Sequence, residues 1–274
     1  TRPQPAIAFA ERDWVVVGKL KNFTGNAMLD DSMEQALRIS LEQSPYLNVL
    51  TDDQVSRALT MMRRQGGEAL DREQASAIAM RSGARLVLMP TVANVGGRPR
   101  FSVEVVEPQS QRTLVSASAN AGGGEGALLA AVDDVARQLR QRLGEDRTVI
   151  GNASQPLPEV TTRNMDALRA YALGQKRYSR GDFKGASAFF QQATEIDPDF
   201  ALAWLGQMRV RYAQVDAPGA LAPLRNGISK KELSELCLHS FLYCGGPASL
   251  DAFHVMKAAL PELEAELKAE RKKR

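Results

Sequence analysis

Cysteine and histidine are scarce in this 274-residue chain, with two of each, and all four (Cys237, His239, Cys244 and His254) lie in the last 38 residues. The first 236 residues hold no thiol or imidazole, which excludes from them a Cys or His nucleophile, a zinc site and a Ser-His-Asp triad. No run of 18 apolar residues occurs, so no segment reads as a membrane span. Neither sign of charge dominates: residues 1–150 carry 18 basic and 18 acidic groups, residues 151–224 carry 8 and 7, and residues 225–274 carry 9 and 7. The net charge of +3 is a tail effect, since Arg271, Lys272, Lys273 and Arg274 supply four positive charges, and no nucleic-acid face is expected. What is present is apolar material, 44% of residues against 24% charged, enough at this length for one core and room for two. That composition excludes a disordered or collagen-like chain.

The first half patterns as α+β. Trp14 to Leu20 (WVVVGKL) is a β-branched run and predicts a buried strand. Asn26 is placed to cap a helix over Ala27 to Gln43, whose Met28, Leu29, Met33, Leu37 and Leu41 form one apolar stripe ended by Pro45. Leu47 to Leu50 predicts a second strand. Thr51-Asp52-Asp53-Gln54 has capping-box spacing, which puts Asp52 and Asp53 in a first helical turn, where carboxylates offset the helix dipole. Asp71 to Gln74 repeats the helix-start signal, with Ala75, Ile78 and Ala79 on one face and a stop at Gly83. Strands are expected over Arg85 to Val92, Arg100 to Glu107 and Thr113 to Ala119, separated by Gly96-Gly97 and Pro108-Gln109-Ser110. Leu128, Leu129, Val132, Val135, Ala136, Leu139 and Leu143 define a further amphipathic helix, giving the order βαβααβββα. Gly122-Gly123-Gly124-Glu125-Gly126 ahead of it lacks the Walker spacing and its Lys, so it is read as a connector and not a phosphate cradle.

Asn22, Thr24, Gly25, Leu29 and Asp30, in the string N-x-T-G-x-x-x-L-D after Val17, resemble the TolB amino-terminal-like domain of bacterial signalling proteins over roughly residues 12–145. Asn26 stands where that family often has Asp. AIAFAERDWVVVG and SQPLPEV-TTRNMDALRAYALG are similar to the region that follows the cyclase domain in cyclases associated with peptide-modification systems. The resemblance implies a membrane helix upstream of Thr1, with the present residues on its extracytoplasmic side; the cytoplasmic alternative stays open.

Ser154 to Thr162 (SQPLPEVTT) reads as a linker, and a tetratricopeptide pattern follows it: Leu173, Gly174, Ala186, Phe190 and Pro198 match, with Gly181 at the turn and Ala193 in the second helix. Ala170 replaces the usual Trp, and Arg177 the usual Tyr. A shift of 34 residues brings Trp204 onto Ala170, Ala220 onto Ala186 and Leu224 onto Phe190, but Met208 falls on Gly174, Gly227 on Ala193 and Glu232 on Pro198. A second repeat therefore starts in register and does not finish. Small residues at Gly174, Ala186 and Ala193 are expected to let paired helices approach, with Phe190 and Trp204 filling the gap between units. One and a half repeats fall short of the roughly three that such arrays need to stand alone.

After Leu224 the pattern changes. Ser229-Lys230-Lys231-Glu232 opens a helix to about Tyr243, Gly245-Gly246-Pro247 breaks the chain, and Ala248 to Lys273 predicts a second helix. Residues 225–260 resemble the carboxyl end of the carboxymuconolactone decarboxylase family, through N-G-[IL]-[ST]-x-E-[IL] and Y-x-G-x-P-A-x-x-x-A-F. A related peroxidase branch uses C-x-x-C, but Cys237 and Cys244, seven residues apart on one helix, would stand about 10 Å apart, beyond disulfide reach. Cys237 and His239 point about 200° apart on a helix, so no nucleophile-base couple is expected.

The organisation read from the sequence is a linker (1–11), a TolB-like α+β domain (12–146), a linker (147–162), a tetratricopeptide region (163–224) and a helical hairpin (225–274). The expected function is a non-catalytic sensor or protein-interaction region of a larger signalling protein, most naturally a membrane-anchored nucleotide cyclase. A protein or peptide partner is expected, with no cofactor, metal or nucleic acid, and with the membrane reached only through an upstream segment. Two alternatives stand: a decarboxylase-like or alkylhydroperoxidase-like enzyme carried by the tail, with Cys237, His239, Cys244 and His254 as weak catalytic candidates, and a foreign sequence joined near Leu224.

Overall fold

The strand that organises the first half is the ten-residue β4 (Leu86–Val95), because every other strand but two pairs with it directly. In the computed structural model, which describes residues 9–62, 70–123 and 126–213, β1 (Asp13–Val17) runs parallel to the start of β4, and β2 (Lys21–Phe23) runs parallel to its end. β3 (Leu47–Val49) lies parallel to β1 at one edge. β5 (Arg98–Val106) and β6 (Thr113–Asn120) continue the sheet antiparallel on the far side, so the order is β3-β1-β4-β5-β6 with β2 also on β4. The fold class is α+β, as expected.

Two details differ from the sequence expectation. The predicted 14–20 strand is broken at Gly18, where a Cβ would stand 2.5 Å from the Met89 sulfur, and a sixth strand, β2, forms beyond the break. The strands expected to stop at Val92 and resume at Arg100 extend until Val95 faces Arg98, leaving Gly96-Gly97 as a two-residue turn with φ of 59° and 77°, the positive region this hairpin requires.

Alternation along the strands splits the core into two layers. Val16, Val87, Met89 and Val106 pack under α2 (Asp52–Met61) and α3 (Arg72–Ser82), with Leu59, Ala75, Ile78 and Ala79 supplied by the helices. The opposite face carries the fully buried Val15, Phe101 and Val103 on the side of α1 (Leu29–Glu42) and α4 (Ala127–Arg142). The capping box at Thr51 is formed with Gln54, Asp71 accepts from Gln74 N, and Gly83 ends α3 in the left-handed region at φ 72°. Asn26 does not cap α1 directly. Its side chain accepts from Met28 N at 3.0 Å in a turn, and the helix starts at Leu29.

Residues 147–162, expected as a linker, are instead built into this first unit. α5 (Arg147–Ala153) is capped by Asp146, whose carboxylate accepts from Thr148 N at 2.8 Å, and α6 (Leu157–Val160) begins behind Pro156. The chain divides between Met165 and Asp166 into two units.

The second unit opens with α7 (Met165–Tyr178), α8 (Phe183–Ile196) and α9 (Ala201–Ala213). Gly181 supplies the left-handed residue of the α7–α8 turn (φ 75°), and Asp182 caps α8 by accepting from Gly185 N at 2.9 Å. That backbone N–H, joined by the Arg177 guanidinium 3.0 Å away, holds the Asp182 carboxyl below the usual range.

Candidate functional site

Residues of the N-x-T-G-x-x-x-L-D string come together as a loop brace between β2 and α1. Asn22 Nδ2 donates to Asn26 O and to Asp30 Oδ1, both at 2.7 Å, while Asn22 Oδ1 accepts from Thr24 N (2.9 Å) and Thr24 Oγ1 (2.7 Å). Gly25 turns the chain at φ 79°, and Leu29 opens the helix. One turn further on, Lys19 Nζ lies 3.6 Å from Asp31 and 3.5 Å from Glu34. Burial works to lower the Lys19 pKa, but the Glu34 and Asp31 carboxylates outweigh it and hold the ammonium charged. Asn22 and Asp30 are thus occupied in holding the loop that joins a short strand to a helix.

A second polar cluster was not foreseen. Arg140 and Glu145 form an ion pair with both side chains about 1% exposed, Nε to Oε2 at 2.8 Å and NH2 to Oε1 at 2.7 Å. Ser44 Oγ donates to the same Glu145 at 2.6 Å, and Arg140 NH1 donates to Ser154 Oγ at 2.7 Å. Beside it, the Asp133 carboxylate accepts from Ser40 Oγ and from Leu157 N, both at 2.7 Å. Gln43 closes the set with a reciprocal amide pair, donating to Gln155 O at 3.1 Å and accepting from Gln155 N at 2.7 Å. Three of these links end on residues 154–157, which is why that segment is fixed and not free. Burial raises the Asp133 pKa, against the opposing pull of the Leu157 and Ser40 hydrogen bonds. A perturbed carboxyl in a cleft is a catalytic candidate, but one Asp133 oxygen is taken by Ser40 of α1, the other by Leu157 N, and the residue is buried. Its role is structural.

Arg38 is a fourth buried charged residue. NH1 donates to Leu50 O at 2.8 Å and NH2 lies 3.0 Å from Asp52, so α1 is tied to the start of α2. Burial would lower its pKa, yet the facing Asp52 more than compensates. Asp52, the first-turn carboxylate of α2, also serves as this counter-ion.

In the helical unit, Gly174, Ala186, Phe190 and Ala193 are buried together, Leu173 and Trp204 are half-buried, and Pro198 is exposed in the α8–α9 turn. The Phe190 ring lies against two glycines at once: a Cβ would come within 2.6 Å of it at Gly174 and 2.7 Å at Gly206. Gly206, two positions before the 34-residue register, does what the repeat pattern assigned to Met208. The gap is filled by Phe200, fully buried and in tilted ring contact with Tyr171 at 5.1 Å between centroids, not by Trp204, whose Nε1 donates to Pro198 O at 2.8 Å. Ala220 and Leu224, the junction near Leu224, and Cys237, His239, Cys244 and His254 lie outside the described residues, as do Gly124 and Glu125 of the glycine run.

Among the described residues no group of His, Cys, Asp and Glu is arranged to hold a metal ion, and no helix is long and apolar enough to cross a membrane. A shallow cleft of about 340 Å³ lies along α4 and α5, lined by Asp134, Arg137, Gln138, Gln141, Arg147 and Ile150. Arg137 is paired with Asp134 at 2.5 Å, so its charge is balanced within the cleft.

No family model and no curated protein matches the chain. Solved structures with partial similarity include the LpoB C-terminal domain from Salmonella enterica (18% identity, TM-score 0.39, covering 42% of this chain and 87% of that one). Lipoprotein GNA1162 from Neisseria meningitidis aligns at 18% identity and TM-score 0.35, over 46% of this chain and 95% of its own. The PelC dodecamer from Paraburkholderia phytofirmans aligns at 17% identity and TM-score 0.31, over 49% and 91%. Similarity at this level assigns no activity.

Proposed function

We propose that this chain is a non-catalytic sensor or protein-interaction region of a larger bacterial signalling protein, in which a TolB-like α+β unit is followed by a tetratricopeptide-type helical stack. One observation carries the reading: α7, α8 and α9 meet around Phe190, with glycines on the first and third helices admitting the ring, the small-residue contact by which helical repeats stack. The buried charges of the first unit support it from the other side, because Arg140, Glu145, Asp133 and Arg38 are each committed to joining segments of the fold. Association with a nucleotide cyclase linked to peptide modification, and placement on the extracytoplasmic side of a membrane, follow from the sequence resemblance alone and belong to the same proposal.

The test is site-specific photo-crosslinking from exposed α8 positions Lys184 and Gln192 in the natural protein in its host. The expected result is a discrete adduct with one identifiable protein, reduced by Phe190→Ala. Absence of any adduct from both positions would sink the reading.

A further inference from the structure

Among the described residues, helices cover one end of a sheet face and leave the other end open. α2 and α3 lie over Val16, Val87, Met89 and Val106, at the end of the sheet where β1 pairs with β4. Beyond them the cross-strand register places two further rows on the same face, Lys21-Thr91-Ser102-Ser118 and Phe23-Ala93-Arg100-Asn120, followed by Val95 beside Arg98. The reverse side of these rows is core: Val92, Phe101 and Val103 are fully buried. The alternation is that of a sheet with one wet face, except that the wet face presents Phe23, 68% exposed, and Val95, 50% exposed. Phe23 faces Ala93 and Val95 lies two residues further along β4, so among the described residues both leave apolar surface open at this end of the sheet.

The charge around that patch has one sign. Lys21, Arg98 and Arg100 are exposed, and none is ion-paired with a carboxylate among the described residues; Arg100 donates instead to Ser118 Oγ at 2.6 Å. Glu104, the acidic residue on the same face, is taken by the Arg72 guanidinium. We infer that this open face of β2, β4 and β5 docks an acidic protein segment carrying an apolar anchor side chain, the anchor seated on Phe23 and Val95 and its carboxylates on Lys21, Arg98 and Arg100. This rests on the protein-interaction reading above and names the partner chemistry for it.

The sheet edge points to the same mode of binding. Ala121 N bonds Pro99 O at 2.7 Å, so residues 117, 119 and 121 exchange ladder bonds with β5, and Ser116 and Ser118 direct their carbonyls outward. Those two carbonyls are occupied by Arg142 and Gln138 of α4. These contacts compete with strand addition at β6, and the side chains on the face are left as the recognition surface. A lipid surface is disfavoured because polybasic membrane sites gather about four to eight cations where this patch has three. Stacking of single-stranded nucleic acid is disfavoured because sheet platforms of that kind use about two or three aromatics, and Phe23 is one.

The test is fluorescence anisotropy of the full chain with a labelled peptide alternating glutamate and phenylalanine. Its controls are a lysine-phenylalanine peptide, phosphatidylserine vesicles and oligouridylate. The inference predicts salt-sensitive binding of the acidic peptide alone, weakened about tenfold or more by Lys21→Glu with Arg100→Glu and several-fold by Phe23→Ser, and unchanged by Gln192→Ala on α8. All these positions are exposed, and circular dichroism of each variant checks that it folds. No binding of the acidic peptide, binding indifferent to the sheet variants, or tighter binding of vesicles or oligouridylate would overturn it. Adducts from α8 combined with no peptide binding here would remove this inference and leave the broader reading standing.

Discussion

The two units bury different things. The α+β unit sets whole charges inside itself, with Arg140 against Glu145 and Arg38 against Asp52, and Asp133 between two donors. The described part of the helical unit buries rings against glycines, and its buried polar contacts include the neutral ones of Gln207 Nε2, to Thr194 Oγ1 at 2.8 Å and to Phe190 O at 3.4 Å. The difference follows from what each has to join. Stacked helices meet along continuous apolar stripes, so close approach and ring packing suffice. The α+β unit has to hold two short helices, α5 and α6, and the turn between them against α1 and α4, and directed polar bonds do that where a long apolar stripe is missing. Such bonds are specific, but they make the unit sensitive to losing either partner.

The sharpest way to break this comparison is to remove one partner of the buried pair. Arg140→Ala or Glu145→Ala should cost about 3–5 kcal/mol by leaving an uncompensated buried charge, whereas the double change to Met and Leu should recover most of it. Denaturant titration of the three variants checks this; equal losses in all three would show that packing, not charge, holds the site.

The helical unit should respond to volume instead. Gly174→Leu and Gly206→Leu each force a side chain into the Phe190 ring and should cost roughly 1–3 kcal/mol. A melting curve unmoved by both would remove the close-packed stack. Gln43→Ala removes the reciprocal amide pair with Gln155 and should cost about 1 kcal/mol, with the change confined to the α+β transition.

A pH dependence separates the units further. The fold raises the Asp133 pKa above its ordinary 3.8, so the folded state favours the protonated carboxyl. That contribution is fully present below the ordinary value and is lost as pH rises through the higher folded value. Asp133→Asn should therefore flatten the decline in α+β stability as pH rises above about 4, read from denaturant midpoints across the pH series; an unchanged profile would contradict it. The smallest effect is expected from Arg177→Ala, since the Arg177–Asp182 pair is exposed and solvent screens it.

What was legible in the sequence was local. The Thr51 box, the Asp71 cap, the Gly83 stop and the Gly96-Gly97 turn each depend on residues within a few positions, and each stands where its signal put it. β2 was missed because Lys-Asn-Phe has no alternation of its own; it pairs only because β4 runs on past Gly18 and offers an edge. The 147–162 segment was misread for the same reason on a larger scale. Its Pro- and Thr-rich composition is that of a linker, while the residues that fix it come from elsewhere: Gln43 lies 112 positions from Gln155 and Ser40 lies 93 from the Asp133 it shares with Leu157. Gly206 escaped because the 34-residue register is off by two at that helix. Of the candidate site, the Asn22-to-Asp30 brace was visible as a motif, and the open sheet face was not, since it emerges only when β2, β4 and β5 are set in register.

The central claim, that residues 147–162 are a fixed part of the α+β unit, is tested most directly by native-state hydrogen exchange on the full chain. The amides of Gln155 and Leu157, bonded to Gln43 and Asp133, should exchange as slowly as those of β4 and β5, through the same global opening. Exchange at the rate of exposed loop amides, with β4 and β5 still protected, would contradict it and restore the segment to a linker.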